Sequence, residues 1–281
     1  MDYQWYPGHM TRARRQMQED VRLVDLVIEL TDARAPLSGR NPDIDSLAAG
    51  KSRILVLNKS DLADPEQNKA WTAWFRKNGL VACEVNARSG NGIRQIRPMI
   101  AEACREKIER DRSRGIMNRP LRAMIAGIPN VGKSTFINSF AGKASAKTGN
   151  KPGVTRGRQW ISVERTLQLL DTPGILWPRF DDRQVGIRLA EIGCIRDEIL
   201  DAQELACELI SWMRAAYPQV LSERYGISPD GTAFEVLGRI AEARRCLKVG
   251  GEPDCGKAAA LLLDEFRSGR LGRMTLEKAP D

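Results

Sequence analysis

Histidine is almost missing from this chain of 281 residues, His9 being its only one. A histidine cluster for metal binding or proton relay is thereby excluded. No apolar run approaches the roughly 18 residues that span a bilayer. No charged-then-apolar leader opens the sequence either, so neither secretion nor membrane insertion is expected. The six cysteines, at 83, 104, 194, 207, 246 and 255, lie too far apart for close-paired zinc ligands. A disulfide framework suits a shorter secreted chain, and these residues read as reduced, mostly buried thiols of a cytosolic protein. Internal repeats and low-complexity tracts are lacking as well.

What is present is the material of a globular protein, 42% hydrophobic and 28% charged, which excludes a disordered or fibrous chain. The net charge of +8 is unevenly placed. Residues 1–181 hold 30 basic and 19 acidic side chains, whereas 182–281 hold 14 and 17. The pattern changes at the same point. Before it, the apolar runs Leu26–Leu30, Ile54–Leu57, Val81–Val85, Ala123–Ala126 and Leu167–Leu170 alternate with helical stretches, which predicts a mostly parallel α/β sheet. After it, strand signal fades. Asp201-Ala-Gln-Glu204 reads as a capping box opening a helix with Leu205, Leu209 and Met213 on one face. The expected architecture is an α/β domain over 1–180 followed by a small all-helical domain over 181–281. Arg105–Arg119, dense in charge, reads as a solvated helix end and linker.

Gly127-Ile-Pro-Asn-Val-Gly132-Lys133-Ser134 has the spacing of a phosphate-binding loop between a strand and a helix. Its backbone N–H groups, from Asn130, Val131 and Gly132 into Thr135, face a β-phosphate; Lys133 reaches the β and γ oxygens, and Ser134 ligates Mg²⁺. Asp171-Thr-Pro-Gly174 follows 37 residues after Ser134. There Asp171 holds Mg²⁺ through water and the Gly174 N–H senses a γ-phosphate. Between them, Lys151–Arg156 offers Thr155 as a residue that closes on Mg²⁺ and the γ-phosphate. From Lys133 to Arg165 seven basic residues face one acid, Glu164. Beside a polyphosphate site, that density favours phosphate or RNA contact over a merely solvated face.

The chemistry of a base reader lies earlier in the chain, in Asn58-Lys59-Ser60-Asp61. A carboxylate at Asp61 accepts two hydrogen bonds from the imino and amino groups of guanine, an arrangement that adenine does not offer. The Lys59 stem covers the base face and Asn58 ties this loop to the phosphate loop. Asn86-Ala87 ends the next candidate strand, and its Ala87 N–H is placed to meet the guanine oxygen. A helix-entry turn capped by Asp61 is the competing reading of the tetrapeptide. An ATPase or kinase accounts for Gly127–Ser134 alone and leaves Asn58–Asp61 without a purpose.

These motifs resemble the GTPase set in an inverted order, the base-reading pair preceding the phosphate loop. Circular permutation produces that order when former chain ends lie close together, Arg105–Arg119 then bridging them. With Trp5-Tyr-Pro-Gly-His-Met10, Asp32-Ala-Arg-Ala-Pro36, Gly250-Gly-Glu-Pro-Asp254 and Phe266-Arg-Ser-Gly269, the sequence resembles the circularly permuted GTPases of the ribosome biogenesis GTPase A type, related to YlqF. Asn86 departs from the pattern, relatives often having Ser there. The resemblance implies a GTP hydrolase of late large-subunit assembly, binding GTP or GDP with Mg²⁺. Its C-terminal helices would contact ribosomal RNA through Arg244, Arg245 and Lys248 at helical spacing. No DNA or membrane partner and a monomer off the ribosome are expected. Because the family motif begins within the first ten residues, with no room for a transit peptide, a bacterial cytoplasmic setting is expected over an organelle.

The glutamine that many GTPases place after Asp-x-x-Gly is replaced by Ile175, which cannot orient water. His9 is one substitute, or a packing residue of the amino-terminal motif. Asn130 is another, holding K⁺ beside the β and γ phosphates, or shaping the loop. A GTP-gated RNA-binding scaffold with incidental hydrolysis stands as the alternative to a ribosome-stimulated enzyme.

Overall fold

The computed structural model describes residues 7–117, 119–142, 159–174, 176–177, 182–195 and 201–280, with side chains from residue 15 onward. The strands are β1 (Leu26–Asp32), β2 (Ser52–Asn58), β3 (Val81–Glu84), β4 (Leu121–Gly127), β5 (Gln159–Val163) and β6 (Leu167–Asp171). They form one sheet in the order β3-β2-β1-β4-β6-β5, parallel except for the β5–β6 pair. Every residue of β1 is buried, as expected for a strand covered on both faces. The one acid in its apolar run, Glu29, is held by Arg40 at 3.1 Å and Arg53 at 2.9 Å.

Helices α1 (Pro7–Arg22), α2 (Asp43–Leu47), α3 (Pro65–Lys77), α4 (Ile96–Ala103), α5 (Arg105–Ser113) and α6 (Lys133–Ala141) alternate with the strands. Asp64 starts α3 by accepting from the Glu66 and Gln67 N–H groups, with Pro65 in the first turn. Helix α5 buries none of its side chains, in keeping with a solvated connection between the two halves of the sheet.

β5 is not among the strands predicted from the apolar runs. Only Ile161 and Val163 of this strand are buried. An antiparallel edge strand with one wet face alternates and yields no apolar run. Its exposed Trp160 is covered by the Arg122 guanidinium, 5.2 Å from the ring centre.

After β6, among the described residues, come only helices: α7 (Arg183–Glu191), α8 (Ala202–Ala216), α9 (Val220–Tyr225), α10 (Ala233–Ala243) and α11 (Cys255–Ser268). Leu205, Leu209 and Met213 of α8 are buried together. Asp201 caps α8 through the Gln203 and Glu204 N–H groups, while the Glu204 carboxylate pairs with Arg183 of α7. The complete reciprocal capping box is instead at α10, between Thr232 and Glu235. Leu209, Ile240, Leu262 and Phe266 join the same apolar cluster as the sheet residues Ile28, Ile125 and Leu169.

Arg244, Arg245 and Lys248 do not share a helix face. Helix α10 stops at Ala243, and Arg245 takes the left-handed conformation at φ 54°. The Cys246 N–H returns to Ala241 O and the Arg245 N–H to Glu242 O. Together these bonds make the helix-ending motif usually built on glycine. Arg244 lies over the Tyr225 ring, at 5.0 Å, and donates to Arg224 O. Of the six free cysteines, three are buried and three half-buried; burial pushes the Cys83 and Cys194 thiols up to about 12.

The segment after α11 does not stop at the helices. Leu271, Met274, Thr275, Leu276 and Glu277 are buried against the loops at one end of the sheet. Met274 N donates to Leu62 O and Leu276 N to Arg34 O. The Trp71 indole donates to Glu277 O at 3.0 Å. The Glu277 carboxylate accepts from Leu37 N, Ser38 N, Ser38 Oγ and Arg188.

Candidate nucleotide-binding site

The described loops after β1, β2, β3, β4 and β6 leave the same end of the sheet, the carboxyl ends of parallel strands, where open α/β sheets place their ligands. β4 runs into the loop that ends at Gly132 and then α6, so the N-terminus of α6, the end of a helix that favours anions, opens into that end. Gly132 is required here. Its φ is 96°, and a Cβ would lie 2.5 Å from Asn58 Nδ2. Ser134 and Thr135 follow in the first turn of α6, and Val131 is fully buried.

Lys133 is 7% exposed, and its Nζ donates to Gly127 O at 3.0 Å and Ile128 O at 2.9 Å. Burial pushes its ammonium down to about 8, the nearby Asp171 carboxylate partly opposing this. Asp171 ends β6, beside Ile125 of β4 and almost fully buried. Thr172 is fixed by a 2.7 Å bond from its hydroxyl to Ile125 O. Gly174 packs so tightly on the loop that a Cβ would lie 2.7 Å from Pro129 Cα and 2.8 Å from Lys133 Nζ.

Asn58 joins the two halves of the site. Its Nδ2 donates to Val131 O at 2.8 Å, and its Oδ1 accepts the Ala87 N–H at 3.0 Å. The first bond is the tie expected from the sequence. The second differs from the expectation for Ala87, whose N–H is given to Asn58. Asn86 turns the following loop, its Oδ1 accepting from Arg88 N and Ser89 N. Ser60 N donates to Val85 O, which aligns the two base-side loops. Asp61 is exposed, and Lys59 stands at φ 59° with its ammonium 2.9 Å from Asp32 Oδ2.

Asp32 and Arg34 are the functional surprise, since sequence reasoning gave them no role beyond a family signature. Both are buried. The Arg34 guanidinium grips Asp32 through Nε at 2.9 Å and Nη2 at 2.8 Å. Its Nη1 reaches Phe266 O and Arg267 O at the end of α11. Burial alone would raise the Asp32 carboxyl, yet Arg34 and Lys59 outweigh it and hold the group well below the usual carboxylate range. Two charges of one sign around one buried carboxylate thus tie loop 58–61 to the last helix.

Asn130 makes a second such tie. It holds the left-handed conformation, φ 57°, and donates Nδ2 to Gly193 O at 2.7 Å, just past α7. Arg267 of α11 in turn donates to Ala190 O and Glu191 O of α7. His9 lies in the first turn of α1, but its side chain is outside the described residues, as are Thr155 and Ile175.

Strand, glycine loop and helix in this arrangement, with the Asn58–Asp61 loop ahead of them in the chain, define a circularly permuted P-loop GTPase. A family model described as 50S ribosome-binding GTPase matches residues 122–217. Ribosome biogenesis GTPase A of Bacillus cereus is 48% identical over 99% of this chain and 94% of its own. Mitochondrial ribosome-associated GTPase 1 of Bos taurus is 33% identical over 98% and 88%. The solved GNP-bound YlqF from T. maritima superposes with a TM-score of 0.68 at 29% identity, over 96% of this chain and 99% of that one. The chain belongs to the ribosome biogenesis GTPase A (YlqF) family. It is a GTPase that binds guanine nucleotide.

Proposed function

We propose that this GTPase acts late in maturation of the large ribosomal subunit, docking in its GTP form and leaving in its GDP form once the particle stimulates hydrolysis. The observation that carries this reading is the pair of ties, Asn130 to Gly193 and Arg34 to Phe266 and Arg267. They join both nucleotide loops to the helices over 181–281, so a change at the γ-phosphate reaches an RNA-contacting domain without passing through a linker. The family model is described as 50S ribosome-binding, and the mitochondrial relative is named as ribosome-associated, which supports a ribosomal partner. Arg245 and Lys248, on the exposed turn after α10, are the RNA contacts proposed for that domain.

In this reading Asn58, Lys59, Ser60, Asp61, Asn86 and Ala87 surround the base, while Asn130 to Thr135 cradle the phosphates and Gly174 meets the γ-phosphate. The hydroxyl of Ser134 and the buried carboxylate of Asp171 are hard oxygen donors on adjacent elements, a set that suits Mg²⁺. They would hold it, together with Thr155, and the ion would neutralise charge on the β and γ oxygens. Asn130 offers K⁺ its Oδ1, the Nδ2 being spent on Gly193. His9 completes the proposal as the water-positioning group in place of Ile175. A bacterial cytoplasmic setting and a monomer off the ribosome belong to the same reading.

GTP turnover in KCl, measured with and without purified large subunits, tests it. Strong stimulation that Lys133→Ala protein fails to show is the expected result. GTP-dependent binding to subunits without stimulation would favour the gated scaffold. Neither binding nor stimulation would remove the large subunit as the partner.

The Lys133 ammonium also sets a pH dependence. Only its charged form attracts phosphate, so nucleotide binding takes up a proton once the free group begins to lose it near pH 8. GDP affinity is expected to be flat from pH 6.5 to 7.5 and to decline between about pH 8 and 9.5, read by fluorescent-nucleotide titration. Affinity that stays level to pH 9.5 would contradict this.

A further inference from the structure

We propose that Arg273, on the segment after α11, is a positioning residue for guanine recognition, clamping the backbone on both sides of Asp61. The inference rests on the assignment of Asn58–Asp61 as the base-reading loop and goes beyond it by naming what sets that loop.

The geometry is specific. Arg273 Nη2 donates to Ser60 O and its Nε to Ala63 O, each at 3.0 Å. Met274 N donates to Leu62 O at 3.1 Å. Carbonyls on either side of Asp61 are therefore held by two consecutive residues more than 200 positions later in the chain. Asp64 N adds a bond to Thr275 Oγ1 at 3.0 Å, and Gly269 approaches so closely that a Cβ would lie 2.7 Å from Leu62 Cδ2. On the opposite flank the Lys59 ammonium is held by Asp32.

The loop has reason to need an outside clamp. Lys59 sits in the left-handed region, which a non-glycine residue occupies only when its surroundings impose it. Asp61 itself is exposed, so packing does not fix its carboxylate. Two parallel hydrogen bonds to a base edge demand a fixed carboxylate, because each weakens steeply as its angle opens. An arginine is well suited to such a clamp, since its planar fork spans two carbonyls at once, whereas a lysine ammonium has no such fixed geometry.

The group that only guanine brings to Asp61 is the exocyclic amine, which hypoxanthine lacks. Positioning is therefore read as the ratio of inosine diphosphate to GDP dissociation constants, a quantity that general support of the fold leaves unchanged. In full-length protein, Arg273→Ala is expected to weaken GDP binding about three- to tenfold. Inosine diphosphate should suffer less, so the ratio falls. Arg273→Lys should recover part of it. Arg273 is exposed, so the melting temperature should stay near that of the parent protein.

An unchanged ratio in Arg273→Ala, or equal losses for both nucleotides with a lowered melting temperature, would overturn the inference. Asp61→Asn is measured alongside, with xanthosine diphosphate as the probe, since an amide donates where the 2-oxo group of xanthine accepts. A switch of preference to xanthosine diphosphate supports the base-reading loop itself. Retained guanine preference would overturn that assignment and the role of Arg273 with it. A switch in Asp61→Asn beside an unaffected Arg273→Ala would overturn the role of Arg273 alone.

Discussion

Asp32→Ala is expected to destabilise the protein by about 3–5 kcal/mol, because it leaves a fully buried guanidinium without its anion. For a chain of this size that corresponds to a melting temperature lower by on the order of 10 °C, measured by calorimetry. The loss arises less from the missing attraction than from the stranded charge of Arg34, whose desolvation is then uncompensated. A double variant separates stability from binding. Asp32→Leu combined with Arg34→Met replaces the pair by apolar side chains and is expected to recover part of the stability. It leaves Lys59 without its anchor, so GDP affinity should stay low. If Asp32→Ala melts within a degree or two of the parent protein, the buried pair is not the joint described here.

Gly174→Ala is expected to lower GTP turnover by about 10²–10³, the usual loss when one donor to developing charge is displaced. The cause is steric. The added methyl would lie inside contact distance of Pro129, which is backbone and cannot step aside, and of the Lys133 ammonium. The segment after β6 must then withdraw from the phosphate loop, taking the Gly174 N–H with it. GDP lacks the phosphate that this N–H would meet, so GDP affinity should fall far less than GTP affinity. The comparison is made by single-turnover hydrolysis together with titration of both nucleotides. Equal losses for GTP and GDP would instead mean that the methyl distorts the phosphate loop as a whole.

Much of this molecule is legible in the sequence where the physics is local. β1, β2, β4 and β6 lie in the interior of the sheet and declare themselves as apolar runs. The turn at Gly132 declares itself because only glycine fits against Asn58. What was hidden depends on partners far away in the chain. Nothing near Asp32 or Arg34 announces that the guanidinium ends on carbonyls of Phe266 and Arg267. Nothing near Arg273 announces that it finishes on Ser60. Arg244, Arg245 and Lys248 misled for the opposite reason, being close in sequence. Arg245 takes the place of a helix-ending glycine, and a regular helical spacing drawn through it has no physical basis.

The segment after α11 also orders events during synthesis. The N–H groups of Leu37 and Ser38 wait for a carboxylate that is added some 240 residues later, at Glu277. Loop closure over such a span comes late, after the local helices and the parallel strands have paired. On a translating ribosome the phosphate loop is therefore complete well before the loop around Asp61 is fastened. With the roles proposed for these loops, a nascent chain halted between α10 and Arg273 would carry its phosphate loop with the base-reading loop still loose, and would tell one purine from another poorly until residues 273–277 emerged.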